Sequence, residues 1–234
     1  MISLAADHAV LAIEASTVAG SVALFRDGRL LVDADVPMGV GRADGLFPAI
    51  IALLGAAGVA PSSLGAVVCG AGPGSFTSLR IAGALAKGLA HGTACPLFAV
   101  PSLVLAAAAL PSGAAAGEYV VHADALRGER YAQWVRRRTD GVVEPVGDVR
   151  RVAVSSLMER SRPAQRVAVG AAIEAAPSAF SVTPHCRHLP LAMGAWRECP
   201  VDLAGWEPAY GRLAEAQVKW EASHGMALPQ TGPA

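Results

Sequence analysis

The 234-residue chain has no charge of either sign to spare: nineteen lysines and arginines balance nineteen acidic residues, and the sequence pI is about 7.0. It therefore lacks the basic footprint that grips nucleic acid phosphates, and RNA contact is expected to be indirect. The longest basic run, Arg136, Arg137 and Arg138, follows an alternating stretch and reads as a solvated strand end. Long apolar runs are missing as well. Val10 to Ile13 is cut short by Glu14, with no basic region before it, and Leu103 to Leu110 is far below the roughly 20 residues of a membrane span. A cytoplasmic, non-membrane protein is expected. Cys69, Cys95, Cys186 and Cys199 form no CxxC pair, and only Cys186 has histidines beside it, His185 and His188, so neither a disulfide nor a metal is expected. HExxH, paired HxxxH, GxSxG and a glycine loop ending in GK[ST] are all absent, which removes the common protease, hydrolase and P-loop constellations.

What is present suffices for a core. The composition is 53% hydrophobic and 16% charged, and a chain of this length fits two lobes better than one domain. Val10 to Ile13, Ser21 to Phe25 and Leu30 to Val36 read as strands, the last two joined by the hairpin dipeptide Asp27-Gly28. Asp44 to Ala57 repeats apolar residues at helical steps and stops at Gly58. Gly65 to Gly70 is a buried-strand candidate that feeds a glycine turn and a helix over Thr77 to Ala90. A strand at Pro96 to Val100, a helix from Pro101-Ser102 to Leu110, strands at Tyr119 to Ala123 and Tyr131 to Arg136, a helix at Ser155 to Glu159 and a strand at Arg166 to Val169 follow. Leu213 to Trp220 reads as a last helix, and no internal repeat is visible. Three strands, a helix and then alternation is the order of the ribonuclease-H-like half-domain found in actin-like and Hsp70-like ATPases. The expected class is thus two-lobed α/β, with residues 1–110 as the first lobe, 111–205 as the second, a C-terminal helix over 206–221 packing back on the first, and a tail over 222–234.

Two segments could contact a phosphate. GAGPGSFTSLRI, Gly70 to Ile81, places Gly72, Gly74 and Ser75 in a turn at a helix N-terminus, where backbone N–H groups favour an anion. Ser75 and Thr77 are also placed to cap that helix, and a purely structural turn explains the same residues. Lys87 lies too far into the helix for a P-loop lysine. In IEASTVAGS, Glu14, Ser16 and Thr17 stand where actin-like folds put a metal-orienting aspartate and small hydroxyls. The extra methylene of glutamate misplaces such a carboxylate, and phosphoryl transfer tolerates little displacement. His122, Asp124 and Glu129 suggest a metal or acid–base group, against the plainer reading of His122 as a packing residue.

Two helical faces offer a partner surface. Ala82, Ala86 and Ala90 recur every four residues beside Gly83 and Leu79, giving a flat side for another helix. Leu46, Phe47, Ile50, Ile51 and Leu54 make a second apolar stripe, and both faces are equally explained by packing on their own sheet.

LAIEASTVAGSVALFRDGRL, GAGPGSFTSLRIAGALAKGLA, PLFAVPSL, DALRGERYAQW and EPAYGRLAEAQVKWE, spanning residues 9 to 221 in order, together resemble the TsaB/YeaZ family, which is related to TsaD and to the glycoprotease M22-like proteins. The resemblance implies a two-lobed actin-like fold and a scaffold and activator without its own activity in forming threonylcarbamoyladenosine beside the tRNA anticodon. It implies a TsaD-like catalytic partner bound through first-lobe helices, a TsaE-like ATPase in the assembly, no firmly bound cofactor, ATP at the partner interface, and tRNA met only indirectly. Ser78 and Ala82 depart from the family's glycines, and Gly41 to Gly45 from its usual HSE segment. Two other readings stay open: an independent actin-like ATP-binding enzyme, although no DxGG loop occurs near Asp124 or Gly170, and a stand-alone homodimer pairing through the same helices.

Overall fold

Asp27 and Gly28 take φ of 53° and 73°, the left-handed pair that a two-residue hairpin with right-twisted arms requires. They fold β2 (Ala19–Arg26) onto β3 (Arg29–Pro37), while β1 (Ala9–Glu14) pairs antiparallel with β2 on its other side. The computed structural model describes residues 8–38, 45–171, 174–192, 199–211 and 223–224. Helix α1 (Leu46–Ala56) ends at Ala57, and Gly58 with φ 62° closes it by donating to Gly55 O. β4 (Leu64–Gly70) then lies parallel to β1, and after α2 (Phe76–Thr93) β5 (Leu97–Val100) lies parallel to β4. The sheet order is β3-β2-β1-β4-β5.

The second sheet repeats this plan. β6 (Gly117–Asp124) and β7 (Glu129–Arg137) form a hairpin, β8 (Val143–Pro145) and β9 (Arg150–Ala153) both pair antiparallel with β7, and α4 (Val154–Arg160) leads to β10 (Arg166–Val169), parallel to β6, with β11 (Phe180–Val182) parallel to β10. Its order, β8-β7-β6-β10-β11, is the first sheet's order again. The fold is the two-lobed, ribonuclease-H-like α/β class, duplicated in backbone where the sequence shows no repeat. β8, β9 and β11 carry three or four residues each, too few to register as alternation.

Strand alternation splits the first sheet's side chains between two cores. Leu11, Ile13, Val22 and Leu24 face α1 and α2, whereas Val10, Ala12, Ala23 and Phe25 face inward toward the second lobe. Between the sheets lies α3 (Ser102–Ala108), all seven residues of which are buried. A 3₁₀ segment, Cys186–Ala192, joins it there. α3 precedes the boundary expected at residue 110 but packs on β6, β7 and β8 beyond it. Of the helix expected over 206–221, residues 206–210 are not helical and 212–222 lie outside the described residues, as do the tail from residue 225 and most of the Gly41 to Gly45 departure.

The partner-facing stripes need correction. Leu46, Ile50, Leu54, Leu79, Ala82, Gly83, Ala86 and Ala90 are all buried within this chain: Leu46, Ile50, Leu54, Ala82, Ala86 and Ala90 are turned into the first-lobe core, and Gly83 lies under Pro208. Phe47 and Ile51 alone of the two stripes stay on the surface, 51% and 48% exposed. Ala86, with no exposed area, is therefore a core position. Ala86→Arg is expected to cost more than about 3 kcal/mol, since it would overpack the core and bury a charge, and a urea unfolding curve within about 1 kcal/mol of wild type would contradict this placement.

Candidate functional site

β1 ends at Glu14, and the carboxylate turns inward rather than toward solvent. It has no exposed area. Ser16 N donates to Glu14 Oε1 at 2.5 Å, and Ser102 Oγ, at the start of α3, donates to Oε2 at 2.8 Å. Burial raises the Glu14 pKa above its ordinary 4.5, partly offset by these hydrogen bonds. Gly70 makes the space: a Cβ there would collide with the carboxylate. The glycine loop closes on the same turn. Ser75 N donates to Ser16 O at 2.8 Å, Gly72 N donates to Ser102 Oγ at 3.1 Å, and a side chain on Gly74 would strike the Ser16 backbone. Thr17 stays exposed and bonds to Ala19 in its own turn.

The structure therefore brings Glu14, Ser16, Gly72, Gly74 and Ser75 together, as the phosphate reading requires, but spends the Ser75 and Gly72 amides on Ser16 and Ser102. Ser75 sits at the α2 N-cap without capping it through its side chain; its hydroxyl lies 3.0 Å from that of Ser78. The structure thus overturns the expected Ser75 cap and gives Ser78, a departure from the family's glycine, a local partner. Ser102 is the residue the sequence reading missed, because after Pro101 it looks like an ordinary helix start.

A strap over residues 199–211 covers the loop and α2 from outside. Val201 N donates to Leu97 O and Ala209 N to Ala71 O, at 2.9 and 2.7 Å. Lys87 Nζ donates to Ala204 O and Trp206 O, at 3.2 and 3.0 Å, so the lysine anchors the strap instead of reaching a phosphate. Pro208 covers Gly83, where a Cβ would stand 3.0 Å from the proline ring. Tyr210 packs against Phe76 at 4.6 Å with the two rings tilted by 50°, and Arg80 lies over the Phe76 ring.

In the second lobe the three polar candidates separate. His122 is fully buried, Asp124 is 63% exposed at its side chain, and Glu129 pairs with Arg151 at 3.2 Å. Arg130 Nε donates to His122 Nδ1 at 3.2 Å, which places the ring proton on Nε2, 2.8 Å from Ser178 Oγ. Burial, with Arg130 and Arg166 nearby, lowers the His122 pKa to about 4. A ring so held is a structural acceptor. Among the described residues no three His, Cys, Asp or Glu side chains converge as a metal site.

Three predictions rest on these buried groups. Gly70→Ala should lower stability by about 2–4 kcal/mol by forcing Glu14 off its donors, whereas Glu14→Gln should hold its shape and gain relative to wild type as pH rises above 4.5, where the unfolded chain ionises Glu14 and burial holds the folded acid protonated; denaturation curves across pH that show no such divergence would exclude a raised pKa at Glu14. His122 acts in the opposite sense. The unfolded ring takes a proton near 6.5 and the folded ring near 4, so the chain should lose stability as pH falls through that window, and His122→Gln should reduce the loss in melting temperature.

The family described as "TsaD: tRNA N6-adenosine threonylcarbamoyltransferase" matches residues 43–176, more than half of the chain. The Bacillus subtilis protein named "tRNA threonylcarbamoyladenosine biosynthesis protein TsaB" is 28% identical over 226 residues, 90% of this chain and 97% of that protein. An uncharacterized protein of Mycobacterium tuberculosis H37Rv is 32% identical over 217 residues, 92% of this chain and 93% of that one. The solved structure of YeaZ from Pseudomonas aeruginosa superposes with a TM-score of 0.74 at 28% identity, covering 87% of this chain and 99% of YeaZ. Matched in sequence and in backbone over nearly its whole length, the chain belongs to the TsaB/YeaZ family.

Proposed function

We propose that the chain is a non-catalytic partner subunit in the biosynthesis of threonylcarbamoyladenosine on tRNA, where it scaffolds and activates a TsaD-like catalytic subunit and joins a TsaE-like ATPase. The carrying observation is the match of 90% of the chain to a Bacillus subtilis protein named for that pathway. The inward Glu14 supports the non-catalytic part: both carboxylate oxygens are occupied by the chain's own donors. With the loop amides spent on Ser16 and Ser102, this chain is read as holding no nucleotide of its own at that turn, and ATP belongs at the junction with the partner.

Phe47 and Ile51, one turn apart on α1 and about half exposed, are the residues of the helical stripes left to meet another chain. A two-residue apolar pair of this kind also suits self-association when the partner is absent.

The decisive assay is tRNA threonylcarbamoylation by TsaC, TsaD and TsaE with and without this chain, read as modified adenosine by mass spectrometry. Modification that needs the chain is expected, and equal yield without it would sink the subunit reading. Phe47→Asp with Ile51→Asp should weaken co-purification with the TsaD-like subunit about tenfold or more and leave the melting temperature near that of wild type. Unchanged co-purification would move the interface off α1.

A further inference from the structure

The second lobe carries an open cavity of about 410 Å³ lined by Trp134, Val146, Gly147, Asp148, Arg150 and Arg160. This volume lies within the range of about 300–1,000 Å³ typical of small-molecule sites. The walls come from three elements: Trp134 from β7, Arg150 from β9, and Arg160 from the end of α4. Trp134 is half-buried, packed against the small core of Val120, Ala132, Leu157 and Ala176 on one side, and it lines the cavity on another.

The charges around it are distributed unevenly. Most other arginines of this lobe are engaged: Arg136 with Glu118, Arg138 with Asp140 and Glu144, Arg151 with Glu129, Arg130 with Asp124 and His122, and Arg137 and Arg166 with backbone carbonyls. Among the described residues, Arg150 and Arg160 have no ion pair and no side-chain hydrogen bond, and Asp148 in the same cavity pairs with neither. A Cβ on Gly147 would meet nothing within 4 Å, so the floor beside Asp148 is open. The cavity thus offers an indole ring in its wall, two uncommitted guanidinium forks and one carboxylate acceptor.

We infer that this cavity binds a nucleotide, with its base on the Trp134 indole, its phosphate between Arg150 and Arg160, and a sugar hydroxyl or base N–H donating to Asp148. Stacking on an aromatic plane accepts any base, and guanidinium forks match phosphate oxygens bidentately. An acidic peptide would use the two arginines but leave the indole face without a planar partner. The nucleotide comes either free or as a single-stranded unit of an RNA. This site is apart from the Glu14 turn and from α1, and its assay needs only the isolated full chain, so its failure is distinguishable from failure of the subunit reading.

The test is titration of the full chain with AMP, adenosine, ribose 5-phosphate, a single-stranded oligoribonucleotide and a polyglutamate peptide, followed by calorimetry and amide NMR, for wild type, Arg150→Ala with Arg160→Ala, and Trp134→Leu. AMP is expected to saturate, with adenosine and ribose 5-phosphate about tenfold or more weaker, since each lacks one of the two contacts. The double arginine variant, on an exposed surface, should melt as wild type does, bind AMP about tenfold or more weakly, and show a shallower dependence on salt. Tighter binding of the oligoribonucleotide than of AMP identifies a strand as the source, and the reverse identifies a free nucleotide. No saturation by AMP or the oligoribonucleotide, equal AMP binding by the double variant, or polyglutamate binding as tight as AMP each overturns the assignment.

Discussion

The burial of α3 on every side is the constraint that organises this molecule. A seven-residue helix of serine, leucine, valine and alanine has no polar face to give to water, and a helix apolar all round is stable only when covered all round. One sheet cannot do that. The second sheet and the 3₁₀ segment Cys186–Ala192 complete the cover, so the two lobes share a core and neither keeps its inner face dry alone. Small residues make this possible: Ala106, Ala107 and Ala108, all buried, let two sheets approach one thin helix.

The Glu14 lock depends on that arrangement. Ser102, the first residue of α3, reaches the end of β1 because α3 lies between the sheets, and its hydroxyl both donates to Glu14 and accepts from Gly72. Removing the carboxylate would leave Ser16 N and Ser102 Oγ without their partner in a dry interior, where an unmade hydrogen bond is costly. The same turn that could present an anion site is instead stitched shut by its own side chains.

Legibility in the sequence followed segment length and the range of the interaction. The Asp27-Gly28 hairpin, the long helices and the strands β1, β4, β6 and β7 are encoded in turn chemistry and periodicity, and they stand where those signals put them. β8, β9 and β11 are too short to carry a period, and the duplicated topology lies in hydrogen-bond connectivity that no residue pattern records. The glycine loop and Glu14 were visible as a cluster, but their direction was not. Whether a carboxylate faces a ligand or its own chain was decided by Ser102, 88 positions away. The helical stripes failed for a related reason: an alanine face looks the same whether a partner helix or the chain's own sheet lies on it, and on α1 the helix phase buries Ile50 while leaving its neighbour Ile51, with Phe47, outside.

Net neutrality hides how charge is placed. In the run Arg136, Arg137 and Arg138, the strand period sends the outer two to exposed carboxylates and the middle one inward, where Arg137 Nη1 donates to Ala114 O at 2.8 Å. Arg166 goes further in and pins Pro177 and Ser161 by their carbonyls. Guanidinium suits this task, because its planar fork satisfies several acceptors without a counter-ion and is less strongly hydrated than an ammonium. A lobe built with so many arginines committed to structure has few left to attract an anion, which is why two uncommitted ones beside an indole are a chemical feature and not a surplus of surface charge.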